Sequence, residues 1–393
     1  MSAYFIIPDF FDTRIDKATY VEIVYELNKL GLNTKVLTSF TNKKYVNEKK
    51  LFYPIYFETI RIGWIRRIIL IFNIFVYILK FAKKNDIIIV SPESLGFFYI
   101  AKIIKGIKLH LDIRTFPADY EDQRREKEQM DKRSFIIGIK GKLDRLLFFD
   151  LFLRLFFKKV DSYSFITEYM KNEFEKKYKL SPKTYCLWSS GVSTEIIKTK
   201  ISKHKKYNNN TVFFYHGTIS ETRGIGIMYE AFKNLVSKRK DIKLLIVGDG
   251  YYLKTLKNKA VQDKLENRVI LPGYVSYEEI IDYIETADIC LCPLPNRIEW
   301  NVSSPIKIFE YMALGKPIVC TDIPAHSNVL KDMPFAVFTG VDIDSFEVGM
   351  MHALNTLETL NKYSDFEISI VNEYTWEKQA KVLYSYLEKE FNM

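Results

Sequence analysis

The residues best suited to chemistry lie between Asn301 and Asn328. Ser304 is a good N-cap for a helix, and the proline after it loses nothing at a first helical position by lacking an N–H group. The start of such a helix carries unpaired N–H groups and a partial positive charge, to which Lys307 would add a full cation. The pattern predicts an anion site, in which the N–H groups of Ser303 and Ser304 help to bind a diphosphate.

Glu310 follows the first turn of this predicted helix, where compensation of the helix dipole explains a carboxylate poorly. A carboxylate at this place could accept hydrogen bonds from a pair of sugar hydroxyls. A diphosphate at the helix start, with hydroxyls one turn further along, would fit a nucleotide sugar.

A parallel sheet must position this helix. The helix is expected to end at Gly315, and the apolar run Pro317–Thr321 directly after it predicts a buried parallel strand. The same alternation of strand and helix patterns starts at Tyr4 and recurs along the chain, which indicates an α/β fold with helices covering parallel sheets. Because parallel sheets bind ligands beyond the carboxyl ends of their strands, the candidate residues are sought there.

The segment Glu310–Pro317 (Glu-Tyr-Met-Ala-Leu-Gly-Lys-Pro) resembles the donor-binding signature of retaining GT-B glycosyltransferases, a large group of nucleotide-sugar-dependent enzymes. Members typically carry a second Glu eight positions before the one that corresponds to Glu310, and that position is Val302 here. Glu299 lies nearby but out of register. The resemblance implies that Glu310 holds the ribose of the donor.

The loop His216–Gly224 resembles the family's Gly-Arg loop that ends in Lys-Gly, whose two cations hold the donor diphosphate. Gly217 and Thr218 stand where the family has Gly and Arg, and Arg223 stands where it has Lys. The resemblance implies that Arg223 and Lys307 neutralise the diphosphate leaving group as catalytic residues. A guanidinium suits this task because it can bind two phosphate oxygens at once.

The segment Val269–Val275 resembles the part of the family that recognises the nucleotide base through its backbone. The resemblance assigns Gly273, Tyr274 and Val275 to the donor site. Backbone recognition does not reveal which base is bound, so UDP-sugars and GDP-sugars both stay open as donors.

Candidates for the acceptor side lie in the first half of the chain, where the resemblance is architectural only. Asp112 and Arg114 are expected at the carboxyl end of the strand that begins at Lys108. Asp112 is therefore a candidate catalytic residue, and His110 and Arg114 are acceptor-side candidates. The sequence offers no convincing enzymic nucleophile; in this family the leaving phosphate is thought to help deprotonate the acceptor.

The resemblance implies a GT-B architecture, in which two facing Rossmann-like, doubly wound parallel-sheet domains enclose an interdomain cleft. Four segments are predicted: an N-terminal acceptor-binding domain at 1–195, a polar linker at 196–210, a nucleotide-sugar-binding domain at 211–372, and a terminal helix at 373–393 that crosses back onto the first domain.

Two predicted helices of the first domain, Ile65–Phe81 and Leu143–Lys159, combine apolar and basic residues. The apolar run of the first is shorter than the roughly 20 residues that cross a bilayer. Each is either packed in the core or lies on an anionic membrane surface. The net charge of +10 would favour binding to such a surface. No nucleic acid is expected as a partner, because the basic stretch 196–210 is brief and lacks interleaved aromatic residues beyond Tyr207.

The four cysteines lack zinc-ribbon spacing and predict buried thiols in a reducing compartment. Since the start of the chain shows no signal-peptide pattern, we expect a cytoplasmic protein, with attachment to the inner face of the plasma membrane held open. Asp342 and Asp344 have the spacing of a metal clamp, but a helix cap is the simpler interpretation. No metal or cofactor is expected besides the nucleotide-sugar substrate.

The predicted function is retaining transfer of a hexosyl group from a UDP- or GDP-sugar to a hydroxyl of a saccharide or lipid-linked acceptor, in the synthesis of cell-surface polysaccharide or glycolipid. Val302 and Thr218 depart from the family pattern, so two alternatives stay open. One is a nucleotide-sugar epimerase or hydrolase of the same fold, and the other is a non-catalytic nucleotide-sugar-binding protein.

Overall fold

The computed structural model describes residues 1–10, 17–39, 54–56, 63–115, 150–193, 207, 210–275, 277–363 and 372–393. The chain divides into two compact units, one formed by residues 1–190 and 376–393 and the other by residues 191–375. The second unit therefore begins ahead of the predicted linker. That linker, apart from residues 207 and 210, and the first part of the predicted helix 143–159 lie outside the described residues.

The first unit is built on a parallel sheet with the strand order β3-β2-β1-β4-β5-β6-β7. Its strands are β1 (Ser2–Phe10), β2 (Asn33–Ser39), β3 (Pro54–Tyr56), β4 (Ile87–Val90), β5 (Lys108–Ile113), β6 (Ser162–Phe165) and β7 (Cys186–Leu187). The order reverses between β1 and β4, as in a doubly wound sheet. The α-helices described before β7 are α1 (Lys17–Lys29), α2 (Gly63–Phe81), α3 (Leu95–Lys105), α4 (Leu151–Phe156) and α5 (Glu168–Tyr178).

The second unit is built on a second parallel sheet with the order β10-β9-β8-β11-β12-β13. Its strands are β8 (Thr211–His216), β9 (Ile242–Val247), β10 (Val269–Gly273), β11 (Ile289–Cys292), β12 (Ile318–Thr321) and β13 (Ala336–Thr339). Its α-helices are α6 (Ile225–Lys238), α7 (Leu253–Gln262), α8 (Tyr277–Glu285), α9 (Ile298–Asn301), α10 (Ile306–Ala313), α11 (Pro324–Leu330), α12 (Ile343–Asn355) and α13 (Leu357–Leu360).

Side chains that point alternately to the two sides of each strand cover both faces of the sheet in the second unit. Phe213 and Tyr215 of β8 pack into the core that includes residues of α6 and α12, whereas Val212 and Phe214 pack into the core that includes residues of α10 and α11. A central parallel strand is buried on both faces, which explains why β8 reads as an uninterrupted apolar run. The predicted α/β class with doubly wound parallel sheets is confirmed.

The last helix, α14 (Trp376–Phe391), belongs to the first unit and packs against α1. Its buried residues recur at helical spacing, since Ala380, Leu383 and Leu387 are fully buried in the core that includes Ile23 and Leu27 of α1. The four cysteines are all free and buried, which confirms the prediction of buried thiols.

Candidate functional site

Helix α10 begins at Ile306, and Pro305 is its N-cap, with φ −70° and ψ 110°. The carbonyl of Pro305 accepts the first helical hydrogen bond, from the N–H group of Ile308 at 3.1 Å. The predicted cap, Ser304, lies one position too early, because the extended ψ of Pro305 keeps that proline out of the first helical turn. Ser304 is buried beside the helix start, and its part in binding a diphosphate stays a prediction.

Lys307 carries a buried cation at this helix start. Its residue is 7% exposed, and its Nζ has no hydrogen-bond partner among the described residues. The Nζ lies 3.9 Å from the ring centroid of Tyr215, and a Cβ added to Gly217 would lie 3.4 Å from it. Since an aromatic face compensates a buried ammonium only in part, this environment favours the arrival of an anion.

Glu310 faces the end of β8, where its Oε2 lies 3.0 Å from Nε2 of His216. The residue is only 2% exposed. The two atoms are near each other but not oriented for a hydrogen bond, and in the part of the chain that the structure describes neither has another hydrogen-bond partner. The imidazole is held by ring contacts with Phe214 and Tyr311. A ligand that donates to the carboxylate and accepts from the imidazole would satisfy both groups.

Arg223 is supported by Trp300, whose ring centroid lies 4.7 Å from the guanidinium carbon. The indole Nε1–H donates to the carbonyl of Thr222 at 2.9 Å, which joins the Arg223 loop to α9. Both the N–H group and the hydroxyl of Ser303 donate to the carbonyl of Trp300, at 3.0 and 2.7 Å. The expectation that the Ser303 N–H binds a diphosphate is therefore wrong, because this N–H closes the turn that follows α9.

Arg223 and Lys307 converge near the end of β11. Burial raises the pKa of the Cys292 thiol, and the positive charges of Lys307 and Arg223 both oppose that rise. The two cations that the sequence assigned to the diphosphate come from segments far apart in the chain, and both act on the pKa of the same buried thiol.

Glycines shape the loop that carries Gly217 and Thr218. Gly248 has φ +140°, and a Cβ there would lie 1.9 Å from the carbonyl oxygen of Gly217. Gly224 has φ +73°, and a Cβ there would lie 1.9 Å from the carbonyl oxygen of Pro293. These close approaches require glycine at both positions, and Gly248 is the first glycine of the Gly-Asp-Gly sequence after β9. Thr218 uses its carbonyl to accept from the hydroxyl of Tyr215 at 3.2 Å.

The predicted base-recognition segment follows β10. The carbonyl of Gly273 accepts from the N–H group of Gly248 at 2.8 Å, so this segment is tied to the same glycine that supports the Gly217 turn. The side chain of Tyr274 is 75% exposed and Val275 is half-buried. The role of the three residues in binding a base stays a prediction.

In the first unit, His110 is fully buried between two serines of β6. Its Nε2 lies 2.8 Å from the hydroxyl of Ser164, and that hydroxyl donates to Oδ1 of Asp112 at 2.6 Å. Nε2 must therefore carry the hydrogen, while Nδ1 accepts from Ser162 at 2.7 Å. Burial lowers the pKa of His110 to about 3. Because both ring nitrogens are occupied and the ring is enclosed, the acceptor-side expectation for His110 is not supported.

Asp112 and Arg114 are joined through Trp188, a residue that the sequence did not single out. The Trp188 Nε1–H donates to Oδ1 of Asp112 at 3.1 Å. The guanidinium carbon of Arg114 lies 3.6 Å from the centroid of the same ring, and its NH1 donates to the Trp188 carbonyl at 3.1 Å. Burial raises the pKa of Asp112, against the opposing effects of the Arg114 charge and of the hydrogen bonds from Ser164 and Trp188. Direct roles for Asp112 and Arg114 in the reaction stay predictions.

Residues 196–366 match the sequence model of a family described as glycosyl transferases group 1. The chain is similar to this family over that stretch. The chain is 25% identical over 139 residues to alpha-D-kanosaminyltransferase of Streptomyces kanamyceticus. The matched stretch covers 35% of this chain and 35% of that protein. The chain is also 25% identical over 180 residues to lipopolysaccharide 1,2-N-acetylglucosaminetransferase of Salmonella typhimurium, covering 44% of this chain and 46% of that protein. The match thus spans about a third to a half of the length of these two relatives.

The fold of the chain is that of the GT-B glycosyltransferases. The crystal structure of Anabaena HepE in complex with UDP superposes with a TM-score of 0.70 at 14% identity, covering 99% of this chain and 100% of that chain. The predicted GT-B architecture is confirmed by this likeness of fold.

Three further features of the chain bear on the expectations from its sequence. Asp342 is the N-cap of α12, since its Oδ1 accepts from the Ser345 N–H at 2.8 Å, which confirms the helix-cap interpretation. Among the described residues, no group of three or more His, Cys, Asp and Glu side chains could hold a metal ion. Within the same residues, the apolar length of every helix falls short of what crossing a membrane requires.

Three site residues were missed from the sequence: Trp300, Trp188 and Tyr215. Each places its ring against a cationic candidate residue, namely Arg223, Arg114 and Lys307. For the two tryptophans the sequence did offer a signal: Trp188 directly follows a strand, and Trp300 ends a short polar segment. A large ring at such a place usually has a packing partner.

Proposed function

We propose that this chain transfers a hexosyl group from a UDP- or GDP-sugar to a hydroxyl of a saccharide or lipid-linked acceptor, with retention at the anomeric carbon, in the synthesis of cell-surface polysaccharide or glycolipid. The observation that carries the proposal is the Lys307 ammonium, which is buried at the start of α10 without a hydrogen-bond partner among the described residues. A nucleoside diphosphate would bring the missing negative charge.

The supporting geometry is a set of charges suited to a nucleotide sugar. Lys307 and Arg223 would bind the diphosphate, and Glu310 would accept hydrogen bonds from the ribose hydroxyls. The likeness to HepE, a protein solved in complex with UDP, favours a nucleoside diphosphate at this fold. The relatives named above act, by their names, as sugar transferases.

The chemistry follows from where charge develops. The bond between the anomeric carbon and the β-phosphate oxygen breaks, and a bond to the acceptor oxygen forms at the same carbon. The acceptor proton passes to the departing diphosphate. The two cations stabilise the negative charge that grows on the leaving group, which is the kind of electrostatic help that contributes most to such reactions.

Binding and product analysis test this proposal. We expect UDP or GDP to bind the full chain in calorimetric titration, and Lys307→Met to weaken that binding about tenfold or more, because a charge-assisted contact is lost. Lys254→Met removes an exposed cation on α7 and serves as the matched control. Failure of both nucleotides to bind would overturn the proposal.

The anomeric configuration of the product, read by NMR after incubation with donor and acceptor, tests retention. A product of inverted configuration would contradict it. Release of free sugar at the same rate with and without acceptors would instead favour the hydrolase alternative.

We also propose that the first unit rests on an anionic membrane surface from the cytoplasmic side. Helix α3 contacts α2 and α4, and all three expose large apolar side chains. The exposed residues are Phe72, Val76, Phe81, Ile100, Ile103, Ile104, Leu151 and Leu155. The three helices carry basic residues and no acidic ones, which suits the boundary of an anionic bilayer.

Flotation with vesicles tests this surface. The double variant Ile103→Glu/Ile104→Glu, at positions 68% and 60% exposed, should lose binding to phosphatidylglycerol-containing vesicles. Val348→Glu changes an equally exposed residue of α12, 69% exposed, and should not. Equal flotation of the unmodified chain and both variants would contradict the proposal. Flotation of the unmodified chain that does not depend on phosphatidylglycerol would also contradict it.

A further inference from the structure

His216 ends β8 and lies beside the proposed diphosphate contacts without taking part in them. Its Nε2 is buried 3.0 Å from Oε2 of Glu310, and neither atom has a hydrogen-bond partner among the described residues. The His216 side chain is 12% exposed and the Glu310 side chain 3%, so both atoms are shielded from bulk water. Buried polar atoms in native folds are nearly always paired, so this close pair points to a ligand group that completes it.

Two neighbouring contacts between β8 and α10 fix where this pair lies. Glu310 follows Lys307 by three positions on α10, and residues at this spacing lie on the same face of a helix. At the end of β8, a Cβ on Gly217 would lie 3.4 Å from Nζ of Lys307, and the preceding residue, His216, meets Glu310. The His216–Glu310 pair therefore lies about one helical turn from the buried ammonium.

The imidazole of His216 is held in place by its neighbours. Its ring stacks on Phe214 with the centroids 5.8 Å apart, and the ring of Tyr311 lies nearly perpendicular to it at 5.4 Å. The backbone N–H group of His216 donates to the Tyr311 hydroxyl at 3.4 Å, which ties this end of β8 to α10. Because both ring and backbone are held, Nε2 keeps its position beside Glu310.

The chemistry of the two atoms selects a hydroxyl group. A carboxylate oxygen only accepts hydrogen bonds, whereas an imidazole nitrogen that carries hydrogen donates one. A phosphate oxygen could accept from Nε2, but it would place negative charge next to the Glu310 carboxylate, which is unfavourable in a buried site. A hydroxyl both donates and accepts, so a single hydroxyl can satisfy both atoms at once.

We propose that His216 is a specificity-determining residue of the donor site, which holds one ribose hydroxyl of the nucleotide jointly with Glu310. This inference rests on the proposed function, which assigns the ribose to Glu310 and the diphosphate to Lys307. The shared hydroxyl donates to Oε2 of Glu310 and accepts from the Nε2–H group of His216. A nucleotide without that hydroxyl leaves both buried atoms unpaired, so the site selects ribonucleotides over a deoxyribonucleotide.

Calorimetric titration of the full chain with UDP, 2′-deoxy-UDP and 3′-deoxy-UDP tests the inference, with the corresponding guanine nucleotides used if GDP binds instead. We expect one of the two deoxy nucleotides to bind the unmodified chain about tenfold more weakly than UDP, as for the loss of a buried hydrogen bond. His216→Leu removes the Nε2 donor and should weaken UDP binding about tenfold. Its affinity for that deoxy nucleotide should stay within about twofold of the unmodified chain, because this ligand offers Nε2 nothing to bond.

Two further variants separate the hydrogen bond from the packing of the ring. His216→Gln keeps an N–H donor close to the position of Nε2 and should bind UDP within about threefold of the unmodified chain. His216→Asn carries its amide too close to the backbone to do so. It should lose UDP affinity as His216→Leu does, and it decides the matter if the leucine variant fails to fold. His352→Leu changes an exposed histidine of α12 and should alter no affinity.

Each outcome bears on the inference separately from the proposed function. An equal loss of affinity for UDP and both deoxy nucleotides in His216→Leu and His216→Asn would overturn the inference, because His216 would then act through the diphosphate contacts or the fold. Equal binding of all three nucleotides to the unmodified chain would also overturn it. In both cases UDP still binds, so the proposed function stands. If the unmodified chain binds neither UDP nor GDP, the proposed function fails and the inference fails with it.

Discussion

Two regions of this molecule bury ionisable groups, and they do so in opposite ways. In the first unit, Asp112 and His110 sit in a chain of hydrogen bonds in which every named atom has a partner. In the second unit, Lys307 and Glu310 are equally buried, yet within the described residues Nζ of Lys307 and Oε2 of Glu310 lack hydrogen-bond partners. Since an unpaired buried charge is costly, the paired groups of the first region fit a stabilising role, and the unpaired atoms of the second support the proposal that it binds a ligand.

The contrast is sharpest at Ser164, which joins the two buried groups of the first unit. Ser164→Ala removes the donor to Asp112 and the acceptor for the Nε2–H group of His110. We expect the free energy of unfolding to fall by about 3 kcal/mol, because two buried polar groups lose a partner at once. Urea unfolding would measure the change, and a loss below that of an exposed serine variant such as Ser237→Ala would break the comparison.

A second test concerns the backbone that shapes the ligand region. Gly248→Ala would press a methyl group onto the carbonyl of Gly217 and force a left-handed backbone on alanine. We expect a cost of about 2 kcal/mol in stability together with weakened nucleotide binding, since the Gly217 turn must move. Gly31→Ala is the control, because its φ is also positive and no atom lies within 4 Å of the added Cβ. Similar nucleotide binding in both variants would argue against a role for the turn.

Acid should destabilise the folded protein, because both units contain a buried histidine. Burial lowers the pKa of His110 to about 3 and that of His326, on α11 in the second unit, to about 4. Between those values and the unfolded value near 6.5, the unfolded chain binds more protons, so stability falls as the pH drops below about 6.5. Each histidine would contribute up to about 1.4 kcal/mol per pH unit. NMR titration of the imidazole signals checks this, and titration of either ring above pH 5.5 in the folded state would contradict it.

The smallest expected effect has the opposite sign. Without ligand, Lys307→Met replaces an unpaired buried ammonium by an apolar chain of similar length. We expect the free energy of unfolding to rise by about 1 kcal/mol while nucleotide binding weakens, the trade expected where function requires an unsatisfied charge. A clear loss of stability in urea unfolding would show that the ammonium contributes to the fold itself, and the two regions would no longer differ in kind.

Residues that typically begin or end helices made the helices and strands of the site predictable from the sequence. Ser-Pro before α10 and Gly-Lys-Pro after it located the helix, although the cap fell on Pro305 rather than Ser304. The spacing also placed Lys307 and Glu310 on this helix correctly. The Ser303 N–H was misassigned because the short helix α9, which supplies its acceptor, left little periodicity to read.

The surroundings of His110, by contrast, could not be predicted from the sequence. Its position on a strand near Asp112 suggested chemistry, but its surroundings depend on β6, in which Ser162 and Ser164 pair with His110 and Asp112. Only the register between two strands far apart in sequence supplies those partners. The same holds for Trp300 and Trp188, whose roles depend on side-chain packing across segments.

The sequence by itself determined the alternation of strands and helices, the glycines at forced backbone positions, and the cation at a helix start, because these follow from local periodicity and steric limits. Tertiary structure decided which buried polar groups find partners and which do not. Pairing is a property of neighbours brought together by packing, so it made His110 part of a closed network and left Nζ of Lys307 and Oε2 of Glu310 without a hydrogen-bond partner among the described residues.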